Sequence, residues 1–252
     1  MVYLNIPVEL CKYALSKHLI SQIRVYVFLK SKCSGQIKLP KELIELYSKE
    51  LGFKSSKTFK NHLIWLLVNK WITYNSKSGN YHIKGFLAVA NKLKFICRKG
   101  AIFEPLDFEN FKPFIIAAVI KYYMQLKSRR ERRSVYVKGC TRKNRPNPAS
   151  FTLPHLYLSK ILNIPKSLAA HYRYIAVKSG FISSKHSYEL LNIPSSEKEQ
   201  FKKYYCDYKN LRINKKKLAL QKNDILISNI VLRTKNGFKK NLKRKENFCT
   251  VK

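Results

Sequence analysis

The 252-residue chain carries 51 Lys and Arg against 14 Asp and Glu, a formal charge of +37, yet 45% of it is hydrophobic, with 16 Tyr and 14 Phe. That composition argues against a disordered basic tail, because there is apolar surface enough for a core, and a charge of this size calls for a polyanionic partner. The most apolar runs, 113–120 and 19–29, are too short for a bilayer or are interrupted by Arg24, and the first residues lack the basic-then-apolar order of a signal peptide, so a cytoplasmic protein is expected.

Residues 1–12 read as an extended arm. Leu15, Leu19, Ile23 and Val27 then share one helical face through Lys30, and Ser34-Gly35 ends that helix. Gln36 to Leu39 is a candidate short strand. From Leu39 to Ile83 the pattern is complete. Leu43, Ile44, Leu46, Tyr47 and Leu51 come after a Leu39-Pro40 start, and Gly52 stops the helix. Ser55-Ser56-Lys57-Thr58 supplies a hydroxyl N-cap to a second helix whose buried stripe is Phe59, Leu63 and Leu66 or Leu67. Trp71, Thr73, Tyr81 and Ile83 favour strands around a Ser78-Gly79 turn.

Lys92 to Lys99 is basic, and a boundary is expected near Gly100 to Glu104. Asp107 to Lys127 starts again with an acidic turn and a strongly apolar helix. Residues 128–150 then concentrate Arg129, Arg130, Arg132, Arg133, Lys138, Arg142, Lys143 and Arg145 against the single acid Glu131, ending in a Pro-Asn-Pro break. Past that break the earlier pattern repeats. Leu153-Pro154 matches Leu39-Pro40, and Phe181-Ile182 matches Trp71-Ile72. The separations are 114 and 110 residues, so the second copy is shorter, and its second helix is expected to be the part that shrinks. Phe181 to Leu191 is read as a hairpin with Lys185-His186-Ser187 at its tip. A further helix is expected at 197–205, then a basic tail in which 225–231 forms an amphipathic island.

No catalytic constellation is recognisable: there is no phosphate-binding Gly loop, no H-E-x-x-H, no G-x-S-x-G and no paired carboxylates. Cys11, Cys33, Cys97, Cys140, Cys206 and Cys249 lie far apart without a C-x-x-C, so reduced thiols are expected and no metal or other cofactor. The chain reads as a non-enzyme.

The run through Tyr26-Val27-Phe28-Leu29, Ser34-Gly35, Glu42-Leu43, Leu51-Gly52, Thr58-Phe59, Leu63, Leu66 and Trp71-Ile72 resembles the winged helix-turn-helix superfamily of prokaryotic and phage DNA-binding proteins. The likeness covers about 13–85 well and 107–191 more loosely. It departs in having Lys70 before Trp71 where a glycine is common. Two such units in this length also resemble plasmid and phage replication initiators, a likeness of architecture alone. The resemblance implies a mainly α fold with small β wings: a first winged-helix domain at 1–100, a second at 101–195 with an Arg-rich insertion at 128–150, and a basic C-terminal helix and tail at 196–252.

The expected partner is double-stranded DNA, with RNA a further polyanion that the charge would accept and no membrane. Base or phosphate contact is expected from Lys54, Ser56, Lys57, Lys60 and Asn61 on the second helix, and from Lys77 and Asn80 in the wing. Arg129, Arg130, Arg132 and Arg133 form a phosphate clamp in this reading, and Lys166, Ser167, His171, Arg173 and Lys185 are the second copy's counterparts. The function expected is a sequence-specific replication initiator or transcriptional regulator of a phage or mobile element, acting as a monomer or homodimer. The alternative is a packaging protein that coats nucleic acid through charge.

Overall fold

A computed structural model describes residues 3–97, 99–137, 150–186, 188–190, 211–214, 217–221 and 224–234. The chain begins with β1 (Leu4–Pro7) and α1 (Val8–Ser16), where an extended arm was expected. Pro7 explains the change of state: its fixed φ of −56° suits the residue ahead of a helix, and Glu9 places a negative charge in the first turn. The single helix expected from Leu15 to Lys30 is also broken. His18 turns left-handed at φ 56°, Leu19 N–H closes back on the Ala14 carbonyl at 2.9 Å, and α2 starts afresh as Ile20–Lys32.

β2 (Gln36–Ile37), α3 (Lys41–Glu50), α4 (Ser56–Val68), β3 (Ile72–Asn75) and β4 (Asn80–Ile83) complete the first unit, with the antiparallel strands ordered β2-β4-β3. The local signals act as expected here. Gly52 is left-handed past the end of α3. Ser55 Oγ accepts the Lys57 N–H at 3.1 Å and caps α4. Lys70 adopts φ 55° itself, so the lysine stands where a glycine would be at ease, and Trp71 N–H bonds the Leu66 carbonyl at 2.9 Å. That turn drives the Trp71 ring into the core, edge-on to Tyr26 and Trp65 with centroids 5.1 and 5.5 Å away. α5 (Phe86–Lys92) comes next, and the Lys92 ammonium donates to the Asn69 carbonyl at the end of α4.

After β5 (Lys99–Phe103) and a 3-10 turn at Pro105–Asn110, α6 (Phe111–Val137) is buried on every side from Phe114 to Ile120. A helix apolar all round must sit inside, and α6 packs against both α1 and α8. The second unit continues with β6 (Ser150–Thr152), α7 (His155–Leu162), α8 (Lys166–Lys178) and β7 (Ile182–Lys185). α8 matches α4 in length at 13 residues each, which corrects the expectation that it shrinks. The shortening lies in α7, with 8 residues against the 10 of α3, and in the turn, where Asn163-Ile164-Pro165 replaces Leu51 to Ser55. Asn163 makes that tighter turn by taking a left-handed φ of 52°.

A second correction concerns the partner of β7. It does not pair with β8 (Tyr188–Leu190) but with β11 (Ile225–Ser228), the stretch read as an island in a basic tail. Order and register then repeat the first unit. Sheet β6-β11-β7 sets Phe151 opposite Leu226 and Ile182 opposite Ser228, as β2-β4-β3 sets Ile37 opposite Tyr81 and Ile72 opposite Ile83. Even the exit bond recurs: Lys84 N–H to the Trp71 carbonyl at 3.0 Å, Asn229 N–H to the Phe181 carbonyl at 3.1 Å. Burial accompanies the pairing: β11 brings a fully buried side chain, Leu226, into the sheet. The residues between β7 and β11 carry a separate antiparallel sheet in which β10 (Lys217–Gln221) lies between β8 and β9 (Leu211–Asn214).

The two units are tied by a fourth sheet. β5 falls where a boundary was expected, yet it is the central strand between β1 and β12 (Leu232–Thr234). The architecture is thus α+β, with eight α-helices and small antiparallel sheets among the described residues, and the buried apolar side chains form one continuous core. The helix expected at 197–205 and the tail from 235 onward lie outside the described residues. Among those described, no helix is long and apolar enough to cross a membrane.

Candidate nucleic-acid interface

The inner stripe of α4 is Phe59, Leu63 and Leu66, all buried against the unit's core. Its opposite face is set by helical spacing: Lys57, Lys60, Asn61, Ile64 and Val68 stand in solvent, with Lys54 exposed just ahead of the helix and Ser56 half-buried at its start. The structure thus brings Lys54, Ser56, Lys57, Lys60 and Asn61 together at the N-terminal half of one helix. The backbone N–H groups of a first turn add partial positive charge there, so this end favours an anion. Ile64 and Val68 extend the same face with 56% and 74% of their surface exposed, an apolar edge unusual on a solvated helix and suited to a thymine methyl.

The β3–β4 turn is a polar loop in which Asn75 Oδ1 accepts the Lys77 N–H at 3.0 Å. Lys77 is exposed and Asn80 is half-buried. Tyr74 was not among the expected contacts. It lies opposite Tyr81 with ring centroids 4.9 Å apart and is 53% exposed, so an aromatic plane stands beside the turn. Burial and the nearby Tyr74 hold the Tyr81 hydroxyl above its ordinary pKa, so it remains a donor at neutral pH.

On α8 the outward positions hold Ser167, Ala170, His171, Tyr174 and Lys178, while Lys166 opens the helix. Lys166, Ser167, His171 and Lys185 are exposed as expected. Arg173 is not. It occupies the inner position that Leu63 holds in α4, is 9% exposed, and donates to the Asp224 carboxylate and, at 3.1 Å, to Ser184 Oγ. The expectation of an outward Arg173 is therefore corrected: helical phase turns it inward, and an acid distant in sequence makes the burial tolerable. Asp224 also meets His186 Nδ1 at 2.8 Å. Burial pushes the Asp224 carboxyl up, but the His186 hydrogen bond and the Arg173 charge outweigh it and hold it below the usual aspartate range.

Arg129 and Arg130 are exposed on α6. Arg132 and Arg133 continue that helix, and their side chains lie outside the described ones, as do residues 138–149. Below Arg129 the Lys99 ammonium donates to Gln125 Oε1, and its pKa is lowered by burial and by the charges of Arg129 and Lys121. Among the described residues there is no group of three or more His, Cys, Asp or Glu that could hold a metal ion.

No family model matches the chain, and neither a curated protein nor a solved structure matches it.

Proposed function

We propose that the chain is a sequence-specific double-stranded DNA-binding protein built from two winged helices, with α4 and α8 as the helices that enter the groove. The observation that carries this reading is the repeat. Two helix-turn-helix units, each closed by a three-stranded sheet of the same order and register, both leave the outer face of the last helix exposed in a chain of charge +37. A recognition helix needs that geometry: a buried stripe to fix it, and a free face of donors in its N-terminal half for base edges and phosphates. Lys57, Lys60 and Asn61 fill this role in the first unit, and Lys166, Ser167 and His171 in the second. Lys77 and Arg129 with Arg130 supply phosphate contacts. A replication initiator or a regulator would each use such a reader.

The test is duplex affinity as a function of salt. For about six phosphate contacts, affinity falls by roughly a thousandfold between 50 and 200 mM salt. Lys57→Ala with Lys60→Ala should lower both affinity and the salt slope, by about 0.9 in slope for each phosphate no longer neutralised. A double variant that binds duplex like the parent removes α4 from the interface and with it this reading of the first unit.

A further inference from the structure

Away from the exposed faces of α4 and α8 lies a cleft of about 470 Å³, between α1, the segment after α5, and α6. Its size falls within the range of small-molecule sites, roughly 300–1,000 Å³. Its walls combine two kinds of group. Tyr13 and Phe95, edge-to-face at 5.6 Å, and Tyr123 present aromatic surface. Lys12 and Lys94 present ammonium groups, and Lys12 Nζ sits 5.7 Å from the centroid of the Tyr123 ring. Glu9, in the first turn of α1, adds a half-buried carboxylate to the lining. Lys94 sits at a left-handed turn, with φ 55°, a conformation that a non-glycine residue rarely adopts. Phe95 N–H closes that turn on the Ala90 carbonyl at 2.8 Å, which sends Phe95 inward and leaves Lys94 at the rim.

We infer that this cleft binds one nucleoside monophosphate unit, its base against the aromatic walls and its phosphate on Lys12 and Lys94. A flat π-system carrying an anionic phosphate is the ligand class that fits aromatic faces beside two cations, as in sites for unpaired bases. The Glu9 carboxylate is an acceptor for the exocyclic amine that adenine, cytosine and guanine carry. The unit is either a free nucleotide or one residue of a single strand; the chemistry is the same. The cleft lies apart from the α4 part of the proposed duplex face, while Arg129 and Arg130 stand about two turns along α6 from Tyr122 and Tyr123. α5 and its Lys92 contact to Asn69 put the 93–96 segment beside the C-terminal end of α4, about 20 Å along the helix from Lys57.

The experiment is calorimetric titration of the full chain with AMP, with ribose 5-phosphate and inorganic phosphate as controls. AMP should saturate at one per chain, with neither control displacing it. Lys94→Gly keeps the left-handed turn while removing the ammonium, and Tyr123→Leu keeps bulk while removing the ring. Each should weaken AMP by about fivefold or more and leave duplex affinity within about twofold, so this site and the duplex reading can fail separately. A tetradeoxyadenylate that binds at least about tenfold tighter than AMP, in salt high enough to screen the backbone, assigns the site to a strand. Equal affinities assign it to the free nucleotide. Absence of saturable AMP binding at millimolar concentration, binding of ribose 5-phosphate as tight as AMP, or variants that bind AMP like the parent would overturn the inference.

Discussion

The two units share strand order, register and helix phase, but they solve the same burial problem with different chemistry. At the same position of the inner stripe α4 uses Leu63, whereas α8 uses Arg173 paired with Asp224. The wings differ in the same place. Four residues, 76–79, separate β3 from β4, while 186–224 separate β7 from β11. A short wing closes locally, by an Asx turn and a glycine, Gly79, at φ 67°. A long one must have its ends brought together by something else, because closing a larger loop costs more entropy. Arg173 does this. It grips Ser184 on β7 and Asp224 at the entrance to β11, so the ion pair marks the base of the extension. The lesson is that a buried charge can reinforce a wing that strand pairing, and not a tight turn, closes.

Several substitutions break or sharpen that comparison. The largest effect is expected at the ring after the turn: Trp71→Ala, at a site 1% exposed, should cost about 3–5 kcal/mol, and the equivalent half-buried Phe181→Ala roughly half as much. Chemical denaturation measures both. Next, Arg173→Leu should make α8 like α4 yet destabilise by roughly 1–3 kcal/mol, because Asp224 is left without its cation. Adding Asp224→Asn should recover much of that stability. A double variant no better than the single one would mean that the pair does not couple α8 to β11.

The pair also predicts an acid effect with a definite sign. The folded-state pKa of Asp224 is lowered, so its contribution is complete above the ordinary aspartate value near pH 4. It disappears as the pH falls through the lower folded value. The stability gap between the parent and the Arg173→Leu, Asp224→Asn double variant should therefore narrow on acidification in that window. The smallest effect is at the cap. Ser55→Ala removes the acceptor for Lys57 N–H and should cost about 1 kcal/mol, whereas Pro165, which caps α8 without a side-chain bond, offers no such acceptor to remove.

Much of the first unit is legible in the sequence because its signals are local. The N-cap at Ser55, the stop at Gly52 and the inner stripe Phe59, Leu63, Leu66 each depend on neighbours within a turn or two. The outward lysines obey the same phase. The features that periodicity misses depend on distance along the chain. Tyr188 to Leu190 lies nearest to β7 and looks like its partner, but the ladder waits for Ile225 to Ser228, whose apolar run is visible in the sequence while its destination is not. Arg173 looks outward because an arginine in a basic protein suggests a phosphate; its helical spacing from Ala169 and Ala176, both buried, is the available signal that it faces in. The β1-β5-β12 sheet joins residues about 230 apart, beyond the reach of any periodicity.

That two exposed helices of one chain read duplex sequence is the central claim. Selection of bound sites by the full chain from a random-sequence duplex pool tests it directly. The expected result is an enriched site with two separated elements, of which one vanishes when the selection is repeated with Lys57→Ala, Lys60→Ala. Recovery of sequences no different from the starting pool would contradict it, and would leave binding to charge alone.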